Sequence, residues 1–221
     1  MIIEGRVGAQ TLGDGSIAAP RLGKLGELIT GDAVGKYYEL ARRGQLFMAA
    51  MQASAALGTA LTATAVTLSL YNPLSSGVNL AMLQCTITLG GAVQQTTTQT
   101  SQAYVYAANV GPLVTAPASN TAAIIVPGVL TNNGSIAAGT GGGIGRVYTA
   151  TTLPAVGIIV RLHPFSVNQA VTTAGSSAAN GIDYIDGALV LGQGTIVTLQ
   201  GIATTTGNNG IVSFVWAEIP V

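Results

Sequence analysis

Between Arg43 and Arg146 the chain carries no Asp, Glu, Lys or Arg, which makes 102 consecutive positions, 44 to 145, without a formal charge. Of its 16 formal charges, 11 fall in residues 1–43: Glu4, Arg6, Asp14, Arg21, Lys24, Glu27, Asp32, Lys36, Glu39, Arg42 and Arg43. Interspersed charge is what keeps a free-standing surface hydrated and discourages self-association. Here Thr, Ser, Asn, Gln and Gly must supply the polar face. Such a surface suits burial against other protein, so the chain reads first as a component of an assembly.

The residue mix narrows the fold class. Charged residues are 7% of the 221, against about 25% in ordinary globular domains. Abundant Thr and Gly favour strands and turns over helices. Disorder goes with low hydrophobicity, and 48% apolar residues argue against it for the chain as a whole. The length fits one large all-β domain plus an arm, or two small domains, and suffices to bury a sizeable core. With zero net charge, no basic field exists to hold nucleic acid or an anionic membrane. Cys85 is the only cysteine, which excludes an internal disulfide framework. The start, MIIEGRVGAQTLGDG, has an acid at Glu4 and lacks the apolar core of a secretory signal. Residues 46–71 are an uncharged run behind Arg42-Arg43, as a membrane span would be. They contain seven Thr, Ser or Gln residues and alternate like a strand in their second half, so no span is expected.

Residues 1–34 read as an extended arm, because glycines at 5, 8, 13, 15, 23, 26 and 31 break any long helix and the apolar residues are too sparse for a core. Such a chain gains order by lying on something else. Residues 35–57 form a connecting segment, either an amphipathic helix or a hairpin of 36–41 with 45–51; Gly44 in mid-segment favours the hairpin. From residue 58 the pattern is that of one β-domain. LTATAVTLSLY (61–71) alternates with period two, and NPLSSG (72–77) is a loop of turn residues. Further strands are expected over 78–89, 92–108, 122–126, 147–152, 156–163, 182–191, 195–203 and 210–221. Gly192-Gln193-Gly194 and Gly207-Asn208-Asn209-Gly210 read as hairpin connections. Residues 131–146, TNNGSIAAGTGGGIGR, read as a surface loop. Eight or more short strands with frequent turns imply a β-sandwich of jelly-roll type.

An active site needs several titratable or metal-binding groups brought together, and this chain offers few. Cys85 and the lone His163 are conceivable as a nucleophile and base, but Cys85 lies in MLQCTIT, where an alternating strand buries it as a small apolar residue. Asp183 and Asp186 in IDYID are the one close carboxylate pair of the domain. Three apart in a strand, they face opposite ways unless the chain bends, and a solvated strand end is the simpler reading. Either acid can pair with Arg146 or Arg161, in one chain or across a subunit boundary. GGGIG (141–145) resembles a phosphate-cradling loop but lacks the Lys and Ser/Thr that follow one. NGS at Asn133 matches a glycosylation acceptor and otherwise means a turn. Trp216, the lone tryptophan, suits core or subunit-interface packing better than a sugar platform. No catalytic residue, cofactor or metal site is expected.

Three segments together resemble a group of small virion structural proteins of tailed bacteriophages, the capsid cement or decoration proteins. They are RLGKLGELITGDAVGKYYELARRGQLF (21–47), VTLSLYNPLSSGVNLAMLQCTI (66–87) and DGALVLGQGTIVTLQGIATTTGNNGIVSFVWAEIPV (186–221). The resemblance covers about 40% of the chain and carries no catalytic signature. It implies a jelly-roll domain with an extended N-terminal arm, assembled in the host cytoplasm. The protein would be a homotrimer on the outer capsid surface, with the major capsid protein as partner. In that picture Arg6, Arg21, Lys24, Tyr37 and Tyr38 contact the capsid, while Trp216, Arg146, Arg161, Asp183 and Asp186 serve the trimer interface. The alternative is a tail, fibre or receptor-binding module recognising host glycan through Tyr184, Asp183 and Asp186.

Overall fold

The computed structural model describes residues 35–56, 58, 60–65, 67–90, 102–109, 125–127, 143–149, 151–165, 178–203 and 209–221. The expected arm, 1–34, lies outside them, as do the loop residues 131–142 and the strand residues 92–101. The chain divides into two units, Met1–Tyr38 and Glu39–Val221, and the second holds every described strand. In chain order the elements are α1 (Tyr38–Arg42), β1 (Leu46–Ala50), β2 (Ala55–Ala56), β3 (Thr64–Ala65), β4 (Ser69–Tyr71) and β5 (Val78–Gly90). They continue with β6 (Gln102–Asn109), β7 (Ile125–Pro127), β8 (Arg146–Tyr148), β9 (Thr151–Thr152) and β10 (Ile158–Phe165). The last three are β11 (Ala178–Leu191), β12 (Ile196–Ala203) and β13 (Asn209–Pro220). No described helix is long and apolar enough to cross a membrane.

Segment 35–57 is neither of the two simple forms expected. Its first half is the short helix α1, closed by a left-handed glycine. Gly44 sits at φ 68°, its N–H donates to the Ala41 carbonyl, and the Gln45 N–H donates to that of Leu40. This double bond pattern satisfies the last helical carbonyls and needs a residue without Cβ at its turn. The favoured hairpin is therefore corrected. Residues 46–50 do form a strand, but β1 pairs with β13 and β7, not with 36–41, so it belongs to the sheet and not to a connector.

The protein is all-β, with two antiparallel sheets. The first has the order β11-β5-β13-β1-β7, with β2 beside β13, and the second β10-β6-β12-β4-β8. One core cluster draws on both: Phe47, Leu80, Met82, Ile87, Phe214 and Trp216 from the first, Leu70, Tyr106, Val147, Val197 and Leu199 from the second. Alternation explains who faces in. Along β13, Val212, Phe214 and Trp216 are buried, while Ile211 is exposed and Ser213 and Val215 are half-buried. In β5 the phase slips: Leu80 and Met82 point inward, then Cys85 and Ile87. The register shift at Leu83, the extra residue of a bulge, restores the apolar phase. A smaller cluster of Tyr71, Tyr148, Leu153 and Ile196 lies apart from the main core, beside the two-stranded β3–β9 sheet.

The two glycine turns expected as hairpins are not hairpins. Residues 192–194 join β11 of the first sheet to β12 of the second, and β12, ending at Ala203, is followed by β13, which begins at Asn209 in the opposite sheet. Local turn chemistry sets a reversal of direction; which sheet the next strand enters is decided by distant partners, β5 for β13 and β4 with β6 for β12.

Candidate functional site

Beyond residue 43 the chain has five charged side chains, Arg146, Arg161, Asp183, Asp186 and Glu218. They organise two polar constellations and leave one acid on a bulge.

The first constellation ties the sheets together at one side. Asp183 of β11 faces inward beside Cys85 of β5 and is buried. Arg161 of β10 grips its carboxylate with both ends of the fork: Nε donates to Oδ2 at 2.9 Å and Nη2 to Oδ1 at 2.8 Å. The Tyr106 hydroxyl donates to Oδ2 at 2.8 Å. β10 and β11 are edge strands of different sheets, so the pair is a clasp between layers. Two planar groups meeting in parallel bonds fix geometry as well as charge. The carboxylate in turn holds the Arg161 proton more firmly than usual. Burial pushes the Cys85 thiol up to about 12, and burial also pushes the Tyr106 hydroxyl well above its ordinary range. A thiol held in its protonated form is no nucleophile. Asp183 is thus corrected from a solvated strand end to a buried, paired carboxylate.

The second constellation was missed in the sequence. Glu218, on β13, is buried and receives the backbone N–H of Ile144 at 2.8 Å and of Gly145 at 2.8 Å. The indole N–H of Trp216 donates to it at 3.3 Å. The glycines are required by contact: a Cβ on Gly143 would stand 2.9 Å from Glu218 Oε1, and one on Gly145 would stand 3.2 Å from it. On the other side of the same backbone, Arg146 Nη1 donates to the carbonyls of Gly143, Ile144 and Gly145. The glycine run does cradle an anion, as successive amides can, but the anion is the chain's own carboxylate. The signal was present as the acid two residues after the lone tryptophan; its meaning depended on a partner 73 positions away.

The five residues expected at a trimer interface are not brought to one surface. Trp216 is 0% exposed and stacks on Phe47 at 6.1 Å between ring centroids, which is core packing and corrects its interface role. Arg161 and Asp183 sit at one side, and Arg146 starts β8, at the opposite edge of the second sheet. Asp186 is exposed on the irregular stretch between Tyr184 and Leu189, at φ 51°. Asp183 and Asp186 therefore do not form a joint site, and among the described residues no three His, Cys, Asp or Glu side chains come together. His163 pairs through its backbone with Tyr104 in the second sheet, while Cys85 lies in the first. Of the expected capsid contacts, Arg6, Arg21 and Lys24 lie outside the described residues. Tyr38 is exposed, and the Lys36 ammonium stands 5.3 Å over the Tyr37 ring. Comparison of the chain with protein-family models, with curated proteins and with solved structures found no match.

Proposed function

We propose that the protein is a structural component of a bacteriophage particle, a capsid cement or decoration protein that binds the outer shell as a homotrimer and stabilises it by adhesion. One observation carries this reading. Beyond residue 43, Arg161 is engaged with Asp183, and Glu218 and Arg146 with the 143–145 backbone, so these charges are held by the chain's own groups. Charge is used to brace the sandwich, and most of the outside is left to apolar and neutral polar side chains suited to lasting contact with protein.

The strand order supports the jelly-roll part of the reading. Taking β1, β4, β5, β6, β10, β11, β12 and β13 as strands one to eight, the sheets run 1-8-3-6 and 2-7-4-5. Successive strands then wind between layers as two interleaved Greek keys do. The mechanism is adhesive: a standard interface buries about 1,600 Å² in total, at about 25 cal/mol per Å² of apolar area before the cost of ordering the arm. The glycan-binding alternative has less support, because Asp183 is turned into the core and is lost to it.

Removing residues 1–34 tests the assignment. The truncated protein should remain a folded oligomer by sedimentation yet fail to bind particles lacking the full-length protein. Undiminished particle binding refutes the arm's role, and full-length protein that neither binds particles nor changes their resistance to heat refutes the cement function.

A further inference from the structure

The sequence puts Asn or Asp directly before Gly at Asp14, Asn133, Asn180, Asp186 and Asn209. In such a pair the glycine nitrogen can attack the side-chain carbonyl carbon of the residue before it, because no Cβ crowds the approach. The pairs at 180–181, 186–187 and 209–210 fall among the described residues, and the fold treats them differently. Asn209 and Gly210 open β13 and pair with β5 on one side and β2 on the other. The backbone at Asn180 and Gly181 pairs with Thr88 and Ile87 of β5. Asp186 and Gly187 lie between Tyr184 and Leu189, where residues 185–188 of β11 stand against Leu83 alone and the register breaks. We propose that Asp186–Gly187 is a site of spontaneous backbone modification, at which the native protein converts aspartate to isoaspartate.

The Gly187 nitrogen bonds to Asp186 Cγ, the carboxyl hydroxyl leaves as water with the amide proton, and a cyclic imide closes. A solvent water then adds to one of the two imide carbonyls. Opening at the side-chain carbonyl restores aspartate; opening at the main-chain carbonyl routes the backbone through Cβ, one methylene longer, with a carboxylate left on Cα. One water leaves and one enters, and nothing is oxidised or reduced. Closure requires the chain about Asp186 to turn until nitrogen and Cγ meet. Asp186 starts at φ 51° and Gly187 at φ 81°, and for a residue with a Cβ, leaving the left-handed region leads toward better populated ones. Neither residue has a partner in the β5 register, so the turn breaks no strand pairing. Nothing lies within 4 Å of where a Cβ on Gly187 would stand, and Asp186 and Ala188 are exposed, so water reaches the ring. At the two paired Asn-Gly sites the same closure has to wait for the sheet to open. Ile185, 2% exposed, holds one end of the bulge in the core, and the ladder resumes at Leu189 opposite Met82. The added methylene is therefore taken up within the bulge while the sandwich stays folded.

The test ages the full chain for several weeks in warm neutral buffer, once native and once unfolded in guanidinium chloride. Peptide mapping with electron-transfer fragmentation separates isoaspartate from aspartate at each site. Uptake of labelled methyl from S-adenosylmethionine by an isoaspartyl carboxyl methyltransferase measures the total. Comparing each site with itself removes the intrinsic difference between Asn and Asp. Folding should slow conversion at Asn180 and Asn209 about a hundredfold or more, and at Asp186 by less than about tenfold. Asp186→Asn, which left-handed backbone accepts, should convert faster in the native protein than either paired asparagine. Asp186→Glu, which would have to close a larger ring, should form no isoaspartate there; the Asn variant carries the test if the Glu variant fails to fold, as judged by its thermal melt. Protection of Asp186 as strong as that of the two asparagines overturns the proposal. So does a native Asp186→Asn protein in which Asn180 or Asn209 converts first. Neither result touches the cement function, which particle binding tests separately.

Discussion

Replacing Glu218 with Gln exchanges one carboxylate oxygen for an amide nitrogen and tests the bracing logic directly. The carboxylate accepts from two backbone amides and an indole, with Ile144 and Gly145 both at 2.8 Å. Gln keeps the shape but offers one acceptor and one donor. With its oxygen at the Oε1 position the longer, 3.0 Å bond from the Ile144 N–H is kept, but the amide nitrogen replaces the oxygen 2.8 Å from that N–H, donor against donor. Hydrogen bonds to a charged acceptor contribute about 1.5–3 kcal/mol net, neutral ones about 0.5–1.5, and a buried donor left without partner costs about 1–3. Together these give a loss of about 3 kcal/mol. At about 2–4 °C per kcal/mol for a chain of this size, the melting temperature should fall by about 6–12 °C. The local assay is hydrogen exchange of the Ile144 and Gly145 amides together with the Trp216 indole N–H resonance in labelled protein. Both amides should exchange faster and the indole signal should move. A Glu218→Gln protein melting within about 1 °C of wild type, or one destabilised with those three signals unchanged, would refute the reasoning.

The Arg161–Asp183 clasp should behave as a coupled unit. Arg161→Met should cost about 2 kcal/mol by leaving a buried carboxylate underpaired, while Arg161→Met with Asp183→Leu should recover most of that in urea melts, because a well-packed apolar pair avoids the desolvation cost. Stability should also fall in alkali. The folded state keeps the Cys85 proton up to about 12, whereas the unfolded thiol releases it near 9.0; between those values the native state binds more protons and stability drops as pH rises. The Tyr106 shift has the same sign. Urea midpoints at pH 8 and 10.5 measure the slope, which Cys85→Ala should shallow. Cys85 should also resist alkylation at pH 8 until denaturant is added, and rapid labelling of native protein would contradict its burial.

How much of this could be read beforehand varied by element. The strands with clean alternation or flanking glycines, such as 78–89, 195–203 and 210–221, correspond closely to β5, β12 and β13. The helical turn at Tyr38–Arg42 was obscured because Gly44 marks a helix end as well as it marks a hairpin. Sheet membership was illegible at 192–194, since a Gly-Gln-Gly turn reverses the chain whichever layer receives it. The Arg161–Asp183 pair was among the stated possibilities, because so few charges left few combinations. Glu218 was invisible as a site: an isolated acid near a strand end looks solvated until the strand places it under the 143–145 backbone. The inward turn of Asp183 depends on the bulge phase in β5 and β11, which no local pattern reveals.

The last strand lies in the interior of its sheet. β13 pairs with β5 on one side and β1 on the other, so strands more than a hundred residues apart in sequence wait for it. Until residues 209–220 are available, Phe47 and Leu80 face a gap where Phe214 and Trp216 belong. Closing loops of that length before any contact is gained makes nucleation slow. A chain emerging during synthesis therefore stays open until residues 209–220 have emerged, and fragments interrupted before them should be prey for chaperones and proteases and not accumulate as partly folded domains.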